Sequence, residues 1–156
     1  MKIVAFLQNQ WFKDPEGVAR MFAENPKRRE RYISAFLFMG CLTGRRLQQV
    51  FGEELCDQIV WEEISPEIGG HASSKFPADP AHIERVLRKH APDVVLAFGK
   101  LAGDGLLSTL SNPRLRELPH GFKILYGPHP AARNGAIEGL RKMKSELGEV
   151  EGHSNG

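Results

Sequence analysis

Four short apolar, β-prone runs punctuate the chain at 2–7, 58–61, 93–98 and 122–126, with helix-like stretches between them. Strands joined through a helix return to the same end of a sheet, so they run parallel. A parallel sheet has to be covered on both faces. The pattern therefore predicts a three-layer α/β/α fold with a short, mainly parallel four-stranded sheet. The helices carry their own signals. Asp14-Pro15 reads as an N-cap followed by proline in the first turn, opening a helix through about Glu24. Within 44–51, Leu47, Val50 and Phe51 fall at helical spacing. Asp79-Pro80 opens another helix, with Ile83, Val86 and Leu87 on one face, that ends before Pro92. Segments 99–110 and 136–147 also read as helices.

A chain of 156 residues is enough for one domain with a real core, expected here over 1–147. Segment 148–156 has no apolar periodicity and is expected to be a flexible tail. Segment 65–78 is rich in Gly, Ser and Pro, and so long a loop marks function or mobility. No apolar stretch is long enough to span a membrane, and the first run is too short for a signal peptide. Cys41 and Cys56 make neither a disulfide framework nor a four-cysteine metal or cluster site. A cytoplasmic setting is the expectation. The formal net charge is only +2. Between residues 20 and 46, however, seven bases (Arg20, Lys27, Arg28, Arg29, Arg31, Arg45, Arg46) stand against two acids, Glu24 and Glu30. That excess suits either phosphates or a solvated helix face.

Several chemistries are disfavoured. Gly99-Lys100 lacks the glycine spacing and the following Ser or Thr of a phosphate loop. No Gly-x-Ser-x-Gly elbow is present. His71, His82 and His90 show no metal-ligand spacing and are expected at the surface.

Polar chemistry concentrates at strand ends instead. The first run ends in Gln8-Asn9-Gln10-Trp11, the second in Glu62-Glu63, and the fourth in Gly127-Pro128-His129-Pro130. In a parallel sheet all three open onto the edge where such folds bind ligands. The two prolines restrict the backbone around His129. Ala131, Ala132, Arg133 and Asn134 follow, small or anion-friendly residues that suit a phosphate.

These segments resemble, in order, the motifs of the uracil-DNA glycosylase superfamily over roughly residues 3–147. Ile3 to Trp11 is similar to the family's apolar run into Gly-Gln-Asp-Pro-Tyr, with Gln8 at the glutamine, Asn9 at the catalytic acid and Trp11 at the aromatic. Phe38-Met39-Gly40-Cys41-Leu42-Thr43-Gly44-Arg45-Arg46-Leu47 looks like the Phe-Val-Gly-x-x-Gly-x-x-Leu segment of the smaller bacterial members. Segment 93–102 is similar to their Pro-Asp-Val-Val-x-x-x-Gly-x-x-Ala strand and turn. His129 to Asn134 looks like the closing His-Pro-Ser-Pro-Arg-Asn of the single-strand-selective members.

The resemblance implies a monofunctional glycosylase that hydrolyses the N-glycosidic bond of a flipped damaged, deaminated or modified base. It implies His129 as the donor that stabilises the departing base and Asn9 as the residue that positions water. Asparagine orients water but cannot take its proton. The mismatch-specific and single-strand-selective branches also carry asparagine there. Gln8 would contact the base, Trp11 or Phe38 would stack on it, and Glu63 would select it. Arg133, Asn134 and the backbone of Ala131 and Ala132 would hold a flanking phosphate. Single- or double-stranded DNA is the implied partner of a monomer, with no metal or organic cofactor.

One position departs from the pattern. Uracil-directed members read the base edge with an asparagine after the second strand, where this chain has Glu63, or Glu62 if the register slips. An ionised carboxylate only accepts hydrogen bonds, so it predicts preference for a base amino group over uracil. Other uses stay open at this point. His129 suits a structural role, Asn9 a turn cap, Glu62 and Glu63 a solvated strand end, Trp11 and Phe38 the core, and Arg133 an ion pair. A non-catalytic base-binding module and an enzyme of free nucleosides or nucleotides are the alternative functions.

Overall fold

The computed structural model describes residues 1–8, 10–71, 73–113 and 121–154, with backbone only at Gln10, Lys27, Arg28, Glu30 and Ser154. The elements run β1 (Ile3–Leu7), β2 (Gln10–Trp11), α1 (Pro15–Glu24), α2 (Pro26–Leu37), α3 (Leu42–Phe51), α4 (Glu53–Gln58), β3 (Val60–Glu63), β4 (Ile68–Gly69), α5 (Pro80–His90), β5 (Val94–Phe98), α6 (Lys100–Leu110), β6 (Lys123–Gly127) and α7 (Ala136–Ser154). Four strands form one sheet in the order β3-β1-β5-β6, and every pairing is parallel. With helices on both faces, this is the three-layer α/β/α fold.

Period-two alternation sorts the core into two layers. Ile3, Ala5, Leu7, Trp61, Val94, Leu96 and Phe98 face one way, onto Ile33 and Leu37 of α2, Leu47, Val50 and Phe51 of α3, and Leu140, Met143 and Leu147 of α7. Val4, Phe6, Val95 and Ala97 face the other way, onto Ile83, Val86 and Leu87 of α5 and Ala102 and Leu106 of α6. β1 and β5 are buried along their whole length, as central parallel strands must be. The caps are those the sequence signals. Asp14 Oδ1 accepts the Gly17 N–H at 3.0 Å. Asp79 Oδ1 accepts the N–H groups of Ala81 and His82 at 3.0 and 3.2 Å.

From β1 the chain moves outward to β3, then crosses back over β1 to β5 on its other side. That reversal splays the chain at the carboxyl ends of β1 and β5 and opens a crevice there.

Four features differ from expectation. β3 begins and ends two residues later than the run at 58–61, because Gln58 closes α4. Glu62 and Glu63 thus lie inside the sheet, in register with Phe6 and Leu7. α2 and α4 are helices that apolar periodicity does not announce. α7 runs on to Ser154 instead of stopping at Leu147, with Val150 packed against the first core layer. Finally, segment 65–78 is tied down: β4 pairs with β2, and the Phe12 N–H donates to the Gly69 carbonyl at 2.9 Å.

Candidate active site

A cavity of about 570 Å³ opens at the carboxyl edge of the sheet. Gln8, Trp11, Glu63 and His129 all line it, brought together from the ends of β1, β3 and β6 and from β2. Its size lies in the roughly 300–1,000 Å³ range of small-molecule sites.

His129 is half-buried after β6, and its protonation pattern can be read from its contacts. The Ala131 N–H donates to Nδ1 at 3.0 Å, so Nδ1 is the acceptor of the ring. The proton of the neutral imidazole therefore sits on Nε2, which is left as a hydrogen-bond donor. Burial lowers the pKa of His129 from its ordinary value and favours that neutral form.

Gly99, the glycine of the third strand's motif, and Arg46, which the motif reading assigns no role, both act on the position of this imidazole. Gly99, between β5 and α6, has φ +91° and ψ 163°, a conformation essentially reserved for glycine. A Cβ there would lie 3.2 Å from Gln8 Oε1 and 3.3 Å from the His129 Cβ. Gly99 thus lets Gln8 and His129 approach each other across the crevice. Arg46 of α3 donates through Nη1 to the carbonyls of Pro130 at 2.8 Å and Ala132 at 2.7 Å, clamping the turn behind His129. Gly44 lets α3 pack closely on the end of α2, since a Cβ at Gly44 would overlap the Leu37 carbonyl.

Glu62 and Glu63 are not a solvated strand end: they are 2% and 5% exposed. Being adjacent in a strand, they point to opposite faces. Glu62 forms an ion pair with Arg29 of α2, with Nη2 2.8 Å from Oε1, and its Oε2 accepts one hydrogen bond, from Nη1 at 3.4 Å. His82 is buried rather than at the surface. Its Nε2 lies 3.0 Å from the Glu63 backbone carbonyl, which can only accept, so Nε2 carries the proton. The same atom is 3.6 Å from Glu62 Oε1. Glu63 has no comparable partner, and its Oε2 is buried without a hydrogen bond. Burial, then the neighbouring Glu62 charge, pushes the Glu63 carboxyl up to about 8 against the pull of Arg29. That shift favours the protonated carboxyl group, which donates as well as accepts. The preference for an amino group expected from the sequence belongs to the ionised form, which this environment disfavours.

The aromatic wall also differs from expectation. Phe38 packs edge-on against buried Trp61 at 5.6 Å and belongs to the core side. Phe36, two residues earlier, lines the cavity edge-on to Phe12 at 4.6 Å. Trp11 is 45% exposed at the cavity, 6.4 Å from the His71 ring. It is therefore free to meet a ligand rather than packed in the core.

The phosphate assignment needs revision as well. The Ala131 N–H is engaged by His129 Nδ1, and the Ala132 N–H donates to the His129 carbonyl at 3.0 Å. Neither amide is free for an anion. Arg133 and Asn134 are exposed just before α7. Asn9 lies outside the described residues. Of the basic cluster, Arg29 and Arg46 serve internal contacts, while Arg20, Arg31 and Arg45 are exposed.

A second cavity, about 580 Å³, lies between α1, α5 and the segment after β3, lined in part by Arg29, His82 and Arg85. It backs onto the Glu62 contacts and lacks the strand-end constellation. No protein-family model and no curated protein matches this chain. Among the described residues, no helix is long and apolar enough to cross a membrane.

Proposed function

We propose that this protein is a monofunctional DNA glycosylase, acting as a cytoplasmic monomer on a flipped damaged, deaminated or modified base. The observation that carries the reading is the His129 imidazole. It is neutral, with Nδ1 occupied and Nε2–H available, in a cavity large enough for a base that it shares with a buried carboxyl group and aromatic walls. Cleaving an N-glycosidic bond leaves negative charge on the departing base. A preorganised neutral donor stabilises that charge without having to give up its proton. His129 takes this role. Trp11 and Phe36 offer faces for the base. Gln8 contacts it, Glu63 reads its edge, and Arg133 with Asn134 meets a flanking phosphate at the start of α7. Asn9, next in sequence to Gln8, positions the water. Asp14 also lines the cavity and is a carboxylate able to take the proton that asparagine cannot.

The test is an excision screen of the full chain on single- and double-stranded oligonucleotides bearing deaminated and modified bases, read by alkaline cleavage at abasic sites. The expected result is strand cleavage at one or a few bases. Asn9 favours one second reading, a module that binds a base without cleaving it. Retarded migration of the same oligonucleotides with no abasic product would select that reading.

A further inference from the structure

We propose that Glu63 reads the substrate base as a neutral carboxylic acid, and that Glu62 keeps it neutral by holding Arg29 on the opposite face of β3. The proposal rests on the glycosylase reading for its substrate class and on geometry for everything else. Glu63 is 5% exposed, lines the cavity and has a buried oxygen with no partner. A buried polar atom left unmatched is costly, and a ligand that supplies the missing hydrogen bond removes the cost. Arg29, a cation that favours the ionised form of Glu63, is ion-paired with Glu62 instead, at 2.8 Å.

The other titratable groups around Glu63 come from several elements. His82 on α5 donates to its backbone carbonyl and reaches toward Glu62. Lys13, Asp14, Cys41 and His129 share the cavity with it. Burial and the Glu62 charge act in one direction on the Glu63 carboxyl, and Arg29 acts in the other.

The chemical consequence is specific. An ionised carboxylate offers only acceptors, so it suits a base edge with two adjacent donors and repels any edge that carries a carbonyl. The neutral acid offers one O–H and one C=O side by side. It matches an edge with a ring N–H beside a carbonyl, as an amide side chain does. Glu63 thereby admits lactam-edged bases, uracil included. That admission ends when Glu63 ionises. Glu62 is a positioning residue: it touches no substrate and acts through the charge state of its neighbour.

The experiment has two readouts on the full chain, with wild type, Glu63→Gln, Glu63→Ala and Glu62→Gln. The first is infrared absorption of a protonated carboxyl group against pH. The second is single-turnover release of uracil from a single-stranded oligonucleotide from about pH 6 to about pH 9. The wild type is expected to show a protonated-carboxyl band at neutral pH that Glu63→Gln removes, and an alkaline fall in uracil release. Glu63→Ala should lower release by about tenfold or more. Glu63→Gln should abolish the alkaline fall, because an amide does not ionise. Glu62→Gln removes a like charge and frees Arg29, so it should move both the band and the fall to lower pH by about one unit or more. Absence of the band at neutral pH overturns the proposal. So does uracil release by the wild type with Glu63→Gln as defective as Glu63→Ala, or with Glu62→Gln leaving both profiles in place. A band behaving as described, with no base released from any oligonucleotide in the screen, overturns the base-excision reading instead.

Discussion

Gly99 contributes no side chain to the cavity, yet the approach of Gln8 and His129 depends on it. Its backbone sits at φ +91°, and an added Cβ would meet both neighbours at 3.2–3.3 Å. Gly99→Ala is expected to cost about 1–3 kcal/mol of stability through backbone strain alone. It should also reduce base release more than that loss of stability explains, by displacing Gln8 and His129. Urea denaturation with single-turnover kinetics on the same variant checks both. Normal stability would contradict the strained backbone, and unchanged chemistry would contradict the close approach. At this scale the sequence shows which residue types gather at the strand ends, but not their states. His129 is legible as a strand-end imidazole. The side on which it holds its proton depends on the Ala131 N–H, a contact two residues away that no motif encodes. Glu63 is misread from sequence for a related reason. A charged residue at the end of a run suggests solvent, whereas register with Leu7 and cover from α2 bury it.

Among the elements, apolar periodicity finds those that press a broad apolar stripe on the sheet and overlooks those that do not. α5 announces itself through Ile83, Val86 and Leu87, and the Asp79 cap confirms its start. α2 is dominated by charges, and only Ile33 and Leu37 reach the core, so it reads as a basic stretch instead of a helix. Missing α2 also hid Phe36, which lines the cavity from that helix, and made Phe38 the apparent stacking residue. α3 carries the reverse lesson. Its helical spacing is plain, but the use of Arg46 is not, because both carbonyls it binds lie more than 80 residues away. Arg46→Ala should loosen the turn that carries His129. The expected result is base release lowered about tenfold or more, with a stability loss of about 1–3 kcal/mol from two charge-assisted hydrogen bonds. Thermal unfolding beside single-turnover kinetics measures this. A variant that keeps the wild-type rate would show that the turn holds its shape without the clamp.

For the molecule as a whole, the alternation of strands and helices was enough to predict three layers and a parallel sheet, since parallel strands leave few other arrangements. The strand order was not legible, and it decides where the crevice opens. The buried carboxyl group also marks global stability. Burial raises its carboxyl from the ordinary 4.5 to about 8, so between those values the folded protein holds a proton that the unfolded chain has released. Stability contributed by this group is present below about pH 4.5 and falls as pH rises toward about 8. Glu63→Gln has no such proton. Its stability relative to wild type should rise with pH through that window, by up to about 1.4 kcal/mol per unit, and then level off. Denaturant midpoints across pH test this, and a constant difference would mean that Glu63 is ionised throughout.

The account stands most directly on His129. The decisive measurement is the single-turnover rate of base release by wild type and His129→Ala, on the base that the wild type excises best. The account predicts a loss of about 10²–10³-fold, the usual worth of one preorganised donor to a developing anion, with folding unchanged. A folded His129→Ala protein that releases the base at the wild-type rate would contradict it.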